Sequence, residues 1–164
     1  VFLFVIIKLG IHKNPIYVLL YLYRIGEFKL SEIKVVVKGV LVKNNKLLIV
    51  QRSQIEAVGA GTWETVGGNL HFGESFENAL KREFSEEVGL NIIVKNQLFS
   101  TTFHTSKTRQ IVLLTFLCDT KEEQITLSDE HLHYLWASKD ELLTLLPQEI
   151  IADFHQHNVF DLLD

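Results

Sequence analysis

The chain has 164 residues, a formal net charge of −4, 47% apolar residues and one cysteine. That length suits one domain with a core of its own, and the composition is that of a soluble globule rather than a disordered or fibrous chain. The acidic balance, with no Lys/Arg tract, argues against binding nucleic acid through its backbone, and a lone cysteine excludes an internal disulfide, which suits a reducing, cytoplasmic compartment.

Residues 1–32 form an atypical apolar N-terminal extension. Its two apolar runs, 1–7 and 16–23, are separated by Lys8, His12, Lys13, Asn14 and Pro15. Neither approaches the roughly 20 residues needed to cross a bilayer. No basic region precedes the first run and no small-residue cleavage site follows it, so no secretory signal is expected. The chain contains no Met, even at position 1. The first expectation for this segment is therefore an extension foreign to the native protein. The second is a packing or dimer element, and the third a membrane-surface anchor.

The domain proper is expected over 33–164. Residues 34–42 and 46–52 are rich in β-branched residues, and Asn44-Asn45 between them reads as a hairpin turn. A glycine-containing loop, 53–62, leads to a short extended piece, 63–66, and to the pair Gly67-Gly68. Residues 91–103 and 110–118 read as strands around a polar turn at 105–109, and 132–137 as one more. Ser138 and Glu141 have capping-box spacing at the head of a helix running to about 146, which Pro147 ends. The segment 148–163 reads as one amphipathic helix. Strands with helices before and after argue for an α/β (α+β) arrangement, a mixed sheet covered on both faces. Cys118, inside the run VLLTFLCD, reads as a buried small hydrophobe and not a nucleophile.

The informative stretch lies between the Gly pair and residue 90, GNLHFGESFENALKREFSEEVGL. Ser75 can cap a helix and Gly89 suits its left-handed stop. Phe76, Leu80, Phe84 and Val88 recur every four residues as one apolar stripe. At about 100° per residue, Glu83 and Glu86 flank that stripe and Glu87 falls inside it. Three carboxylates at i, i+3 and i+4 repel one another by roughly 0.2–0.5 kcal/mol per pair even when exposed, and by more where water is excluded. A divalent cation reverses the sign of that interaction. Mg²⁺ in particular prefers a few carboxylate oxygens together with water and substrate phosphates.

Gly68, Glu74, Arg82, Glu83, Phe84, Glu86, Glu87, Gly89 and Leu90 fill all nine specified places of the Nudix box. Coincidence would achieve this with a probability on the order of 10⁻⁷ per chain at average residue usage. The chain thus resembles the Nudix hydrolases, the family that includes the MutT-type nucleotide sanitisers, and weaker likeness runs from about 33 to 146. The stretch VGAGTWETVGGNLHFGES is similar to members acting on nucleoside triphosphates. At one place it departs: Val66 stands where a Pro usually precedes the Gly pair.

The resemblance implies a Nudix fold, with a curved mixed sheet between helices, and Mg²⁺-dependent hydrolysis of a nucleoside triphosphate to the monophosphate and pyrophosphate. Mn²⁺ is the expected substitute ion. It also implies ligand roles for Glu83, Glu86, Glu87 and the carbonyl of Gly67. Glu74 would reach the metal through water or another side chain. Arg82 would orient a carboxylate, and Gly67, Gly68 and Gly73 would let the loop approach the metal. Glu86 and Glu83 are the first choices for the general base, with Glu130 of the SDEH loop as a third.

Arg52 at a strand end, Trp63 and Phe103 are weaker candidates for substrate contact. Each has a structural alternative, an ion pair for Arg52 and core packing for the two aromatics. Asp129 and His131 share the SDEH loop and could add a ligand. The expected partner is a nucleotide or a nucleoside-diphosphate-linked small molecule, and many relatives pair as homodimers. Hydrolysis of ADP-ribose or another nucleotide sugar is the alternative enzyme reading. Residues 105–107 lack the Pro often found there in such members. A catalytically silent nucleotide sensor is the alternative from another class, although all four box glutamates are present. No GxxxxGK[ST] or Cys/His zinc spacing occurs.

Overall fold

The computed structural model describes residues 5–9, 16–20, 31–54 and 59–164. The chain divides into two units, Val1–Ser31 and Glu32–Asp164. In the first, β1 (Val5–Leu9) and β2 (Ile16–Leu20) pair antiparallel, with Val5 opposite Leu20. The remainder of the runs 1–7 and 16–23 lies outside the described residues. No helix among the described residues is long and apolar enough to cross a membrane.

The second unit is built on a six-stranded mixed sheet. β3 (Glu32–Lys43) and β4 (Lys46–Arg52) form a hairpin whose turn residues, Asn44 and Asn45, both have positive φ. Asn tolerates that geometry better than most residues with a Cβ. The short β5 (Trp63–Glu64) pairs with the far end of β4. After helix α1 (Phe76–Val88), β6 (Ile93–Ser106) and β7 (Arg109–Asp119) form a second hairpin. β7 runs parallel to β3, and β8 (His131–Ala137) runs antiparallel to β4.

The strand pattern explains the layers. In β4, Leu48 and Val50 join one core with Leu80, Phe84 and Val88 of α1. Their neighbours Leu47 and Ile49 join another with Leu142, Phe154 and Phe160 from the C-terminal helices. A side-chain period of two sends alternate residues to opposite faces, so the unbroken run LLIV is the mark of a strand covered on both sides. This is a mixed sheet between helices, the α/β architecture read from the sequence.

The β6–β7 turn and the C-terminal segment differ most from expectation. The β6–β7 strands continue to Ser106 and from Arg109, so the turn shrinks to Lys107 and Thr108. The segment 148–163 is two pieces, α3 (Gln148–Gln156) and a 3-10 turn (Val159–Leu163). Asn158 adopts a left-handed conformation, φ 55°, that ends the helix, and the His157 ring stacks on Phe99 at 4.5 Å. The capping box at α2 (Lys139–Leu145) is present, with Glu141 accepting from the Ser138 amide and hydroxyl, both at 2.8 Å. Cys118 is buried, and burial pushes its thiol up to about 12.

Candidate active site

The site forms where the loop before α1 crosses β3. The Ser75 hydroxyl accepts from the Asn78 amide at 3.2 Å, and Gly89 closes the helix with φ 69°. Upstream, the loop binds β3 at alternate residues. The amides of Gly39 and Val37 donate to the Val66 and Gly68 carbonyls, and the Leu70 amide donates to Val35, each at 2.9 Å. Val66, in the place of the usual Pro, is fully buried in the α1-side core. At Gly67, φ is 134°, and a Cβ would lie 2.2 Å from the Val37 carbonyl oxygen. At Gly68 a Cβ would lie 2.6 Å from Glu83 Oε1, so the missing side chain makes the space that the Glu83 carboxylate fills.

Glu83 and Glu87 are buried, 9% and 7% exposed, whereas the Glu86 side chain is 61% exposed. Glu87 Oε2 accepts from the Gly67 amide at 3.3 Å and lies 3.9 Å from His131 Nε2. Burial pushes its carboxyl up to about 8. The charges of Glu83 and Glu64 push the same way, against the pull of Lys38 and the Gly67 amide.

Arg82 binds the other carboxylates. Its Nε and Nη2 donate to the two oxygens of Glu74, each at 3.0 Å, in a bidentate fork. Nη1 donates to Glu83 at 2.7 Å and Glu86 at 3.2 Å, and Nη2 also donates to the Asn69 carbonyl at 3.0 Å. Its hydrogen bond to Arg82 leads the influences holding the Glu74 carboxyl below its usual range.

Among the described residues, no three acidic, His or Cys side chains converge closely enough to hold a metal as they stand. Arg82 draws Glu83 and Glu86 to itself, and Glu86 faces solvent. The donor set nevertheless fits a hard divalent ion. Glu83, Glu86 and Glu87 present carboxylate oxygens from neighbouring positions on one helix. The buried Glu87 beside Glu83 is the kind of desolvated anion that such an ion stabilises.

The weaker candidates are scattered. Arg52 Nη1 donates to Glu64 at 2.7 Å. Trp63 packs against the C-terminal-side core. Phe103 is 46% exposed on β6, opposite Ile111. Asp129 and Glu130 are exposed, and the Glu130 backbone carbonyl accepts from the Ser53 amide at 2.8 Å. From the SDEH loop, it is the buried His131 that faces Glu87.

Sequence reading missed Lys38 and Glu64. Lys38 Nζ donates to Glu64 Oε2 at 2.7 Å and to the Thr65 carbonyl at 2.9 Å, and its side chain is only 14% exposed. The available signal was a single cation inside the otherwise apolar run VVVKGVLV.

Comparisons with known proteins agree with the fold. Among curated proteins, a MutT-like protein of Streptomyces ambofaciens is 31% identical over 129 residues, covering 78% of this chain and 75% of its own. The nucleoside triphosphatase NudI of Enterobacter sp. (strain 638) is 25% identical over 122 residues, 68% of this chain and 86% of its own. Among solved structures, a MutT protein from Methanosarcina mazei Go1 superposes with a TM-score of 0.72 at 21% identity, covering 82% of this chain and 99% of its own. The family model for the NUDIX domain matches residues 33–157. This chain therefore belongs to the NUDIX family and is a Nudix pyrophosphohydrolase.

Proposed function

We propose that the protein hydrolyses a nucleoside triphosphate to the monophosphate and pyrophosphate with Mg²⁺, Mn²⁺ being the substitute ion. The observation that carries the reading is the pair of buried carboxylates, Glu83 and Glu87, set against the Gly67-Gly68 turn and flanked by the Arg82 fork. Nudix hydrolases generally use divalent metal ions. A bound ion supplies charge neutralisation for the diphosphate and a more acidic attacking water. In this reading Glu83, Glu86, Glu87 and the Gly67 carbonyl hold it. Arg82 orients Glu83 and Glu86, and Glu74 fixes Arg82. Glu86, the exposed carboxylate beside the pair, would take the proton of the water that attacks phosphorus as the P–O–P bridge breaks. Glu83 and Glu130 are the other bases on offer. Preference for a triphosphate rests on the box-leading stretch and on relatives named nucleoside triphosphatase and 8-oxo-dGTP diphosphatase, the latter from Proteus vulgaris and 36% identical over 84 residues.

The test is a panel of canonical and oxidised nucleoside triphosphates, ADP-ribose and nucleotide sugars with Mg²⁺, products read by mass. Monophosphate plus pyrophosphate is the expected outcome, with a loss on the order of 100-fold in Glu86→Gln. Turnover confined to ADP-ribose or sugars would replace the triphosphate reading. Flat turnover with nucleotide-induced thermal stabilisation would favour a sensor.

A further inference from the structure

The least conspicuous charges near the site are the most constrained. Lys38 lies in the middle of β3, directly beneath the Gly67 turn, where a Gly67 Cβ would come 3.0 Å from Lys38 Cα. An ammonium in such a place is costly unless paired and fully hydrogen-bonded. Lys38 is paired with Glu64 and also donates to the Thr65 carbonyl, which uses two of its three donors. Glu64 is shared: its Oε2 takes Lys38 and its Oε1 takes Arg52 Nη1, both at 2.7 Å, and its side chain is 16% exposed. Burial pushes the Glu64 carboxyl up, but the two cations outweigh it and hold it below its ordinary value.

Arg52 is the second cation held by Glu64. It ends β4 and pairs with His131 across a register shift to β8, the same His131 that faces Glu87. On its other side a Cβ at Gly59 would meet Arg52 Cδ at 3.4 Å, so the guanidinium stem runs beside Gly59. A planar guanidinium so placed suits a phosphate. Without Lys38, Glu64 would have Arg52 as its remaining cation and would draw the guanidinium more strongly to itself.

We propose that Lys38 and Glu64 are positioning residues that present Arg52 to the phosphate chain of the substrate at the rim of the carboxylate site. The inference rests on the polyphosphate reading above. It adds two residues outside the box and a direction of effect opposite to that of simple charge. Removing the Glu64 negative charge should strengthen binding of a polyanion if charge alone matters. It should weaken binding if Glu64 sets the position of Arg52.

The experiment measures kcat and KM with the triphosphate turned over fastest in the panel. Calorimetry with inorganic tripolyphosphate and thermal unfolding accompany it for the wild type, Lys38→Met, Lys38→Arg, Glu64→Gln, Arg52→Gln and the doubles with Arg52→Gln. The expected result is a rise of about tenfold in KM and in the tripolyphosphate Kd for Lys38→Met and for Glu64→Gln, about the effect of one charge-assisted hydrogen bond. In both, kcat should stay within about threefold, and Lys38→Arg should recover part of the loss. In the Arg52→Gln background neither substitution should add a further rise, as residues acting through one group are non-additive. If Lys38→Met melts below the assay temperature, Glu64→Gln decides alone. A KM that falls or stays level in Glu64→Gln, or effects that add to Arg52→Gln, overturns the inference and leaves the functional reading standing. A wild type that neither turns over nor binds any triphosphate overturns both.

Discussion

Two glutamates in this site are perturbed in opposite directions, and the difference lies in their nearest partners. Glu87 is buried on the box helix, and burial holds it at about 8 against an ordinary 4.5. A carboxyl raised in the folded state contributes stability that is complete below 4.5 and is lost as pH rises through 8. With chelator present, the melting temperature of the wild type should therefore fall between about pH 5 and 9, and Glu87→Gln should flatten that fall. The same substitution should cut Mg²⁺-dependent turnover by roughly 100-fold or more, a trade of activity for stability. Glu64 is equally enclosed but has two cations, and its carboxyl is held below 4.5. Its contribution is present above 4.5 and lost as pH falls through the depressed folded value. Between about pH 6 and 3 the wild type should lose melting temperature more steeply than Glu64→Gln. Thermal scans of the three proteins across pH check both signs.

At the scale of the element, the loop and α1 act as a pair. The helix was legible because its apolar stripe, Ser75 cap and Gly89 stop are local signals that agree. The loop's path was not, since it is set by β3, whose contacting residues lie about 30 positions earlier. The two glycines of the turn should respond differently to a methyl group. In Gly67→Ala the Cβ meets backbone at 2.2 Å and φ is 134°, so the loop must move. That strain costs about 1–3 kcal/mol or more, readable in urea unfolding. In Gly68→Ala the three nearest contacts of the Cβ are atoms of the Glu83 carboxylate, the far end of a flexible chain. Here the expected result is near-native unfolding with turnover reduced by at least about tenfold, because Glu83 is displaced. A Gly68→Ala protein with full turnover would show that Glu83 needs no such place.

At the scale of the whole molecule, the unit Glu32–Asp164 contains both hydrophobic clusters, the box helix and each of the charges discussed. We expect residues 32–164 produced alone to fold cooperatively and to keep kcat and KM within about threefold of the 164-residue chain. Circular dichroism melts and steady-state kinetics on the two proteins check this. Local spacing determined the family, the box helix, the double-sided strands and the capping box, because each is written in residues within about one or two turns or pleats of one another. Tertiary structure decided that Glu83 and Glu87 are buried while Glu86 faces solvent and Arg82. It also decided that Asn158 breaks the last helix, that His131 rather than Glu130 faces Glu87, and that Lys38 and Arg52 share Glu64. Those outcomes depend on strand register. Lys38 meets Glu64 across 26 positions and Arg52 meets it across 12, and no periodicity in the chain encodes which side chains meet once the sheet closes.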